Sequence, residues 1–379
     1  MSHAISRRAW LRSSGLLAAG ALLSPAAQAL APAAALLGRP AAPTLIKLSG
    51  NENPWGPSDK ARQAMRAAFD DCNRYPNDYL KALRAQIAAA EGLTPEHVLL
   101  GAGSTEILSL AGLAYGAGGG QLVSAWPAFP LLMQYGAEHA KADWVKVPLD
   151  ANLAHDLPAM ARAVTPATRL VYVCNPNNPT GTVLPAAPLR DFCQRMARQT
   201  TVLVDEAYLE YLDDPAANSM ADLVRTGQNV IVLRTFSKIY GLAGLRLGYA
   251  LAAPAVVQRL SRLAMGWAWG QGVPALAAAQ ASLADQEFVR SSRRHTRAGR
   301  EALQSWLTQH SIRHAPAAAN FVFVSLEQFP ASFPDDLLQR NLQVGRVQEV
   351  NGGKWSRISI GTPEQMKQLT AAMAGLRQA

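Results

Sequence analysis

Lys238 stands just past an apolar run, Val230-Ile231-Val232-Leu233, with Ser237 before it and Arg246 eight residues on. An amine at a strand end in a partly desolvated crevice is a candidate Schiff-base nucleophile. Read alone, it is also a solvated loop lysine. Asp205 and Tyr208 follow a second apolar run, Thr201-Val202-Leu203-Val204. A carboxylate there is costly without a cationic or hydrogen-bonding partner, although by itself it also reads as a helix N-cap. Asn175-Pro176-Asn177-Asn178-Pro179-Thr180-Gly181 is a rigid loop that presents amide side chains. Gly101-Ala102-Gly103-Ser104-Thr105 closes a third run and opens a helix, where free amides and hydroxyls suit a phosphate. That turn has no Walker A lysine and no full GxGxxG. An amine, a carboxylate, a phenol, an amide and a phosphate cradle are together what one cofactor, pyridoxal 5′-phosphate (PLP), requires.

The elements that must position these groups follow from the pattern. Short apolar runs alternate with helical stretches from about residue 72 to 250: Val98–Leu100, Gln121–Ser124, Leu170–Cys174, Thr201–Val204 and Val230–Leu233 read as strands. Strands followed by polar residues and then helices indicate a layered α/β domain, with chemistry at the carboxyl ends of the strands. After about residue 275 the pattern changes. A helical run from Ala275 to Leu307 precedes strand-like Asn320–Val324, Gln343–Val347 and Arg357–Ile360, and a helix from Pro363 to Leu376 closes the chain. The expected division is a targeting signal at 1–29, a flexible lead-in at 30–44 and a segment at 45–71 that packs with the smaller domain. A large cofactor-binding domain at 72–272 and a smaller α+β domain at 273–379 complete it.

Several of these stretches resemble one enzyme family. Asn175 to Gly181, Asp205-Glu206-Ala207-Tyr208 and Thr235 to Tyr249 are similar to segments of the fold-type-I PLP-dependent aminotransferases. Asn51-Glu52-Asn53-Pro54-Trp55-Gly56-Pro57, Arg74-Tyr75-Pro76 and Arg357-Ile358-Ser359-Ile360-Gly361-Thr362 resemble those of the histidinol-phosphate aminotransferases. The similarity covers roughly residues 45 to 379. It implies a mostly parallel central sheet flanked by helices, plus a smaller α+β domain. It also implies roles. Lys238 carries the covalent link to PLP and moves the proton as general acid and base. Asp205 pairs with the pyridine N–H and keeps the ring protonated. Tyr208 and Asn178 hydrogen-bond the phenolate oxygen. Ser104, Thr105, Ser237 and Arg246 hold the phosphate. Phe129 stacks on the ring, with Trp126 the lesser candidate. Tyr75 reaches the phosphate of a partner subunit, which implies a homodimer with shared sites. Arg357 forks onto the substrate carboxylate, and Asn53 and Arg346 join it at the substrate.

Trp267-Ala268-Trp269-Gly270-Gln271-Gly272-Val273 departs from the family pattern and implies a reshaped substrate pocket. The N-terminus points the same way. Arg7-Arg8 precedes an uncharged apolar run, Gly15–Leu23, and Ala27-Gln28-Ala29 fits a small-x-small cleavage site. These are the parts of a twin-arginine export signal, and the run is shorter than the ~20 apolar residues that span a bilayer. Periplasmic location, with passage through the twin-arginine translocase, is therefore the expectation. Because histidine biosynthesis is cytoplasmic, histidinol phosphate is not expected to be the best donor. The lyases of the same scaffold share these residues, so a decarboxylase is the alternative. A non-catalytic PLP-binding protein would not need all of them.

Composition narrows the field further. The chain has 379 residues, 49% hydrophobic and 17% charged, which is globular. Cys72, Cys174 and Cys193 are too few and too scattered for a disulfide framework or a zinc site, and no HExxH is present. The net charge of +9 has no long basic run with interleaved aromatics, so nucleic acid is not an expected partner.

Overall fold

The computed structural model of the chain describes residues 45–264 and 270–377. The expected signal and lead-in, and Trp267, Ala268 and Trp269 of the divergent stretch, lie outside the described residues.

Strand β1 (Ile46–Leu48) opens the described chain. Seven strands then build the main sheet: β2 (Val98–Gly101), β3 (Gln121–Trp126), β4 (Asp143–Pro148), β5 (Thr168–Cys174), β6 (Thr201–Asp205), β7 (Val230–Thr235) and β8 (Gly248–Leu251). Their order is β2-β8-β7-β6-β5-β3-β4. β3 to β7 are parallel, and β8 runs antiparallel to both its neighbours. The near-continuous apolar runs have a simple cause: β6 and β7 are buried at every position, with helices on both faces of the sheet. Successive side chains alternate between two cores. Val171, Val173, Val202 and Val204 enter one. Leu170, Tyr172, Leu203 and Leu233 enter the other. Helix Ser104–Gly116 covers the second face, where Ile107, Leu108 and Ala111 pack. Helix Ala186–Ala197 covers the first with Leu189, Phe192 and Met196.

A second, antiparallel sheet has the order β11-β12-β9, from β9 (Phe321–Ser325), β11 (Val347–Val350) and β12 (Gly353–Ser359). β10 (Leu342–Val344) pairs in parallel with β1, which ties residues 46–48 to this lobe. β9 alternates as well. Phe321 and Phe323 pack into the core of the main sheet, while Val322 and Val324 join Leu303, Leu307 and Ile358 in a core of their own.

Two sequence expectations change. The strand expected at Gln343–Val347 is two strands parted at Gly345-Arg346: β10 pairs with β1 and β11 with β12, and between them the Gly345 amide donates to the Arg357 carbonyl. The helical run at Ala275–Leu307 is two helices, Val273–Ala284 and Gln286–Gln309, which meet at Asp285 with ψ 64, outside the helical region. Helix Val273–Ala284 lies against helices Asp59–Ala67 and Asn77–Glu91. Helix Gln286–Gln309 passes from the main core at Val289 to the second core at Leu303 and Leu307.

Candidate active site

Four strands of the main sheet deliver polar groups to one cavity of about 390 Å³ at their carboxyl ends. Ser104 and Thr105 follow β2, Asn178 follows β5, Asp205 ends β6 with Tyr208 just beyond, and Ser237 and Lys238 follow β7. β12 supplies Arg357 from the second sheet, and the loop after β1 supplies Gly50, Asn51 and Glu52. The cavity therefore forms only where both lobes and the N-terminal segment meet.

Ser104 and Thr105 begin a helix whose first amides have no intrahelical acceptors. Arg246 faces the same point. It donates to Thr105 Oγ1 at 3.0 Å and to the Ala243 carbonyl at 2.8 Å. Gly103, with φ 78, precedes the helix, and a Cβ there would collide with the Arg246 guanidinium. Only glycine suits both the backbone and the close approach. Helix amides, hydroxyls and a guanidinium make this an anion site.

Asp205 is buried, and its carboxylate accepts from Tyr172 OH at 3.0 Å and from the Ala207 amide at 3.1 Å. Burial pushes its carboxyl up to about 6; the Tyr172 hydrogen bond, the Ala207 amide and the Lys238 charge oppose that. Neither hydrogen-bonding partner is a cation, so a ligand N–H carrying positive charge is the group this carboxylate lacks. Lys238 is half-buried and donates to the Gly50 carbonyl at 3.2 Å. Burial and the Arg357 charge bring its ammonium down to about 8. Tyr208 OH accepts from Asn51 Nδ2 at 2.9 Å, and burial raises the phenol. Arg357 Nη1 donates to Asn178 Oδ1 at 2.6 Å and Nη2 to the Ser49 carbonyl, while its Nε is buried without a partner. No carboxylate of the described residues pairs with this guanidinium, so it is charged and open to an anion. The donor set fits PLP: an anion cradle, a carboxylate for the pyridine N–H and an amine of lowered proton affinity surround one cavity. Phe129 lies on the cavity wall.

Not every expected residue is there. Asn53 is outside the cavity wall; its Nδ2 donates to the Ile239 carbonyl and to Ser292 Oγ, and its Oδ1 accepts from the Trp55 amide. It braces the loop that carries Lys238 rather than facing a substrate. Arg346 is exposed in the two-residue break between β10 and β11 and is not part of the cavity wall. Trp126 packs edge-on against Trp144 at 5.0 Å, beneath Lys146. Tyr75 is 73% exposed on this chain. Gln271 of the divergent stretch is buried. The residues that sequence reasoning missed are Asn51, Glu52 and Tyr172. The last carried a signal: a phenol inside a buried strand needs a hydrogen-bond partner.

The model of the family "Aminotransferase class I and II" matches residues 43–373. The chain belongs to that family. Among its relatives, a histidinol-phosphate aminotransferase of Moorella thermoacetica is 39% identical over 87% of this chain and 84% of the relative. Histidinol-phosphate aminotransferase 2 of Ralstonia nicotianae is 39% identical over 87% and 88%. The solved histidinol-phosphate aminotransferase of Sinorhizobium meliloti in complex with pyridoxal-5′-phosphate superimposes on the aminotransferase with a TM-score of 0.79, at 27% identity, over 88% of this chain and 90% of that one. An L-threonine-O-3-phosphate decarboxylase of Porphyromonas gingivalis shares the fold, with a TM-score of 0.74 over 87% and 98% of the two chains, at 19% identity. The fold thus does not separate amino transfer from decarboxylation.

Proposed function

We propose that this PLP-dependent aminotransferase moves an amino group from a donor with an anionic group beside the reacting carbon to a 2-oxo acid. That anion is an amino acid α-carboxylate or the phosphate of an amino alcohol phosphate such as histidinol phosphate. The observation that carries the reading is Arg357: a guanidinium aimed into the cavity, held by an amide and a carbonyl and neutralised by no carboxylate. When bound, PLP supplies an aldehyde for the amine and a ring that takes up the electron pair left at the donor Cα. The chain does the rest. Ser104, Thr105, Ser237 and Arg246 would hold the phosphate, Phe129 would pack against the ring, and Asp205 would keep the pyridine nitrogen protonated. Asn178 and Tyr208 would hydrogen-bond the ring oxygen. Lys238 Nζ takes the proton from the donor Cα; an amine near 8 is well matched to that task.

The test is product analysis. The protein with PLP is mixed with single amino donors, and the expected products are the 2-oxo acid from an amino acid, or the ketone from an amino alcohol phosphate, and an amino group retained by the protein, with no CO₂. Release of CO₂ in proportion to donor consumed would support the lyase alternative instead. Beyond the reaction, we propose a homodimer in which Tyr75 of each subunit serves the other's phosphate site, because that exposed phenol lies on a loop at the start of helix Asn77–Glu91. Arg7-Arg8 and the apolar run to Leu23 support export to the periplasm by the twin-arginine route. Histidinol phosphate then belongs in the donor panel as one candidate, which common amino acids are expected to exceed.

A further inference from the structure

Glu52 sits between two locked neighbours. Asn51 donates from its amide to Ser359 Oγ and from Nδ2 to Tyr208 OH, and Asn53 is bound to Ile239 and Ser292. Both are buried, while Glu52 is exposed on the cavity wall. Its side chain folds over Gly50: a methyl group on Gly50 would lie 3.2 Å from Glu52 Cδ. The Gly50 carbonyl receives Lys238 Nζ, and the Glu52 charge raises the proton affinity of that amine. Its carboxylate makes no hydrogen bond among the described residues.

The charges on the wall are Lys238, Arg246, Arg357, Asp205 and Glu52. On the proposed reading, Arg246 answers the phosphate, Asp205 the pyridine nitrogen, Arg357 the donor's anion and Lys238 the reacting carbon. Glu52 is left without a counterpart. We propose that Glu52 selects the amino donor by its distal group, favouring side chains that end in a cation or an N–H donor, such as imidazole, ammonium or guanidinium. This rests on the transaminase reading. An exposed carboxylate on the cavity wall attracts such groups and opposes anionic ones. Where the bound donor shields the pair from water, losing a charge-assisted hydrogen bond costs about tenfold or more.

The experiment compares kcat/KM of the PLP-loaded wild type, Glu52→Gln and Glu52→Asp for histidinol phosphate, histidine, lysine, phenylalanine and glutamate. The pH profile and melting temperature of each protein are measured beside it. In Glu52→Gln the ratio of each cationic donor to phenylalanine falls by about tenfold or more, the ratio of glutamate to phenylalanine rises, and Glu52→Asp recovers part of the change. If Glu52 acts only on Lys238, every donor changes by one factor and the pH profile moves; that result overturns the proposal. So does a wild type that converts phenylalanine and glutamate but none of the cationic donors. A wild type that converts no donor at all defeats the transaminase reading itself, before any variant is made.

Discussion

Burial shifts both Lys238 and Asp205 toward their uncharged forms in the cofactor-free chain. Lys238 titrates near 8 because burial and Arg357 disfavour its charge, so its free amine forms within the working range. The rate of covalent PLP attachment to the cofactor-free protein is therefore expected to climb with pH and level off above about 8. Stopped-flow absorbance checks this; a climb that continues to 10.5, the ordinary lysine value, contradicts it. Asp205 titrates near 6 against an ordinary 3.8. The folded, cofactor-free chain holds that proton more tightly than the unfolded chain, so this group's contribution to stability falls as pH rises from about 4 to about 6. Only the ionised form pairs with a pyridinium. Non-covalent PLP affinity of a Lys238→Ala chain should accordingly rise with pH by about tenfold or more, with its midpoint above 6 because the variant lacks the Lys238 charge that lowers Asp205, and Asp205→Asn should flatten that rise. Fluorescence titration reads both. Most of the cavity was legible from residue types at strand ends. Asn53 was misplaced because Asn51 adopts φ 53. That left-handed turn decides which asparagine of the pair faces inward, and spacing does not reveal it. Tyr172 was hidden because an apolar run masks a single phenol.

Elements hold these residues through contacts that sequence reasoning saw only in part. Arg234, on β7, donates to Glu206 Oε2 at 2.9 Å, to Glu91 Oε1 at 2.7 Å and to Ser219 Oγ at 2.7 Å. Glu206 adjoins Asp205, so this buried cluster ties the ends of β6 and β7 to helix Asn77–Glu91. Arg234→Met leaves two carboxylates without their partner and should lower stability by about 3–5 kcal/mol, read by urea denaturation. A loss under 1 kcal/mol would mean that the cluster is solvated. Gly241 is another device. At φ 68, a Cβ there would collide with the Gly56 carbonyl, so the loop carrying Lys238 packs directly on the N-terminal segment. The strands were readable because burial on both faces of the main sheet leaves near-continuous apolar runs. The helix break at Asp285 was not, because a charged residue inside a polar helical pattern looks like one more exposed position; here Asp285 pairs with Lys60 at 3.3 Å.

At the scale of the whole molecule, the site needs both lobes: Arg357 comes from β12, the phosphate cradle from β2, and Asn51 from the segment that β1 anchors to β10. β9 joins the lobes, since it packs one face into each core. The proposed dimer predicts a mass of twice 40.5 kDa, less the leader if it is cleaved, in light scattering. For export, Arg7→Lys with Arg8→Lys should trap the precursor inside the cell, as fractionation reads; unchanged periplasmic yield removes the twin-arginine reading. The most direct test of the central claim, that this cavity holds PLP on Lys238, is borohydride reduction of the PLP-loaded protein followed by peptide mass mapping. The account predicts one pyridoxyl label per chain, on Lys238. A label on another lysine, or none, contradicts it.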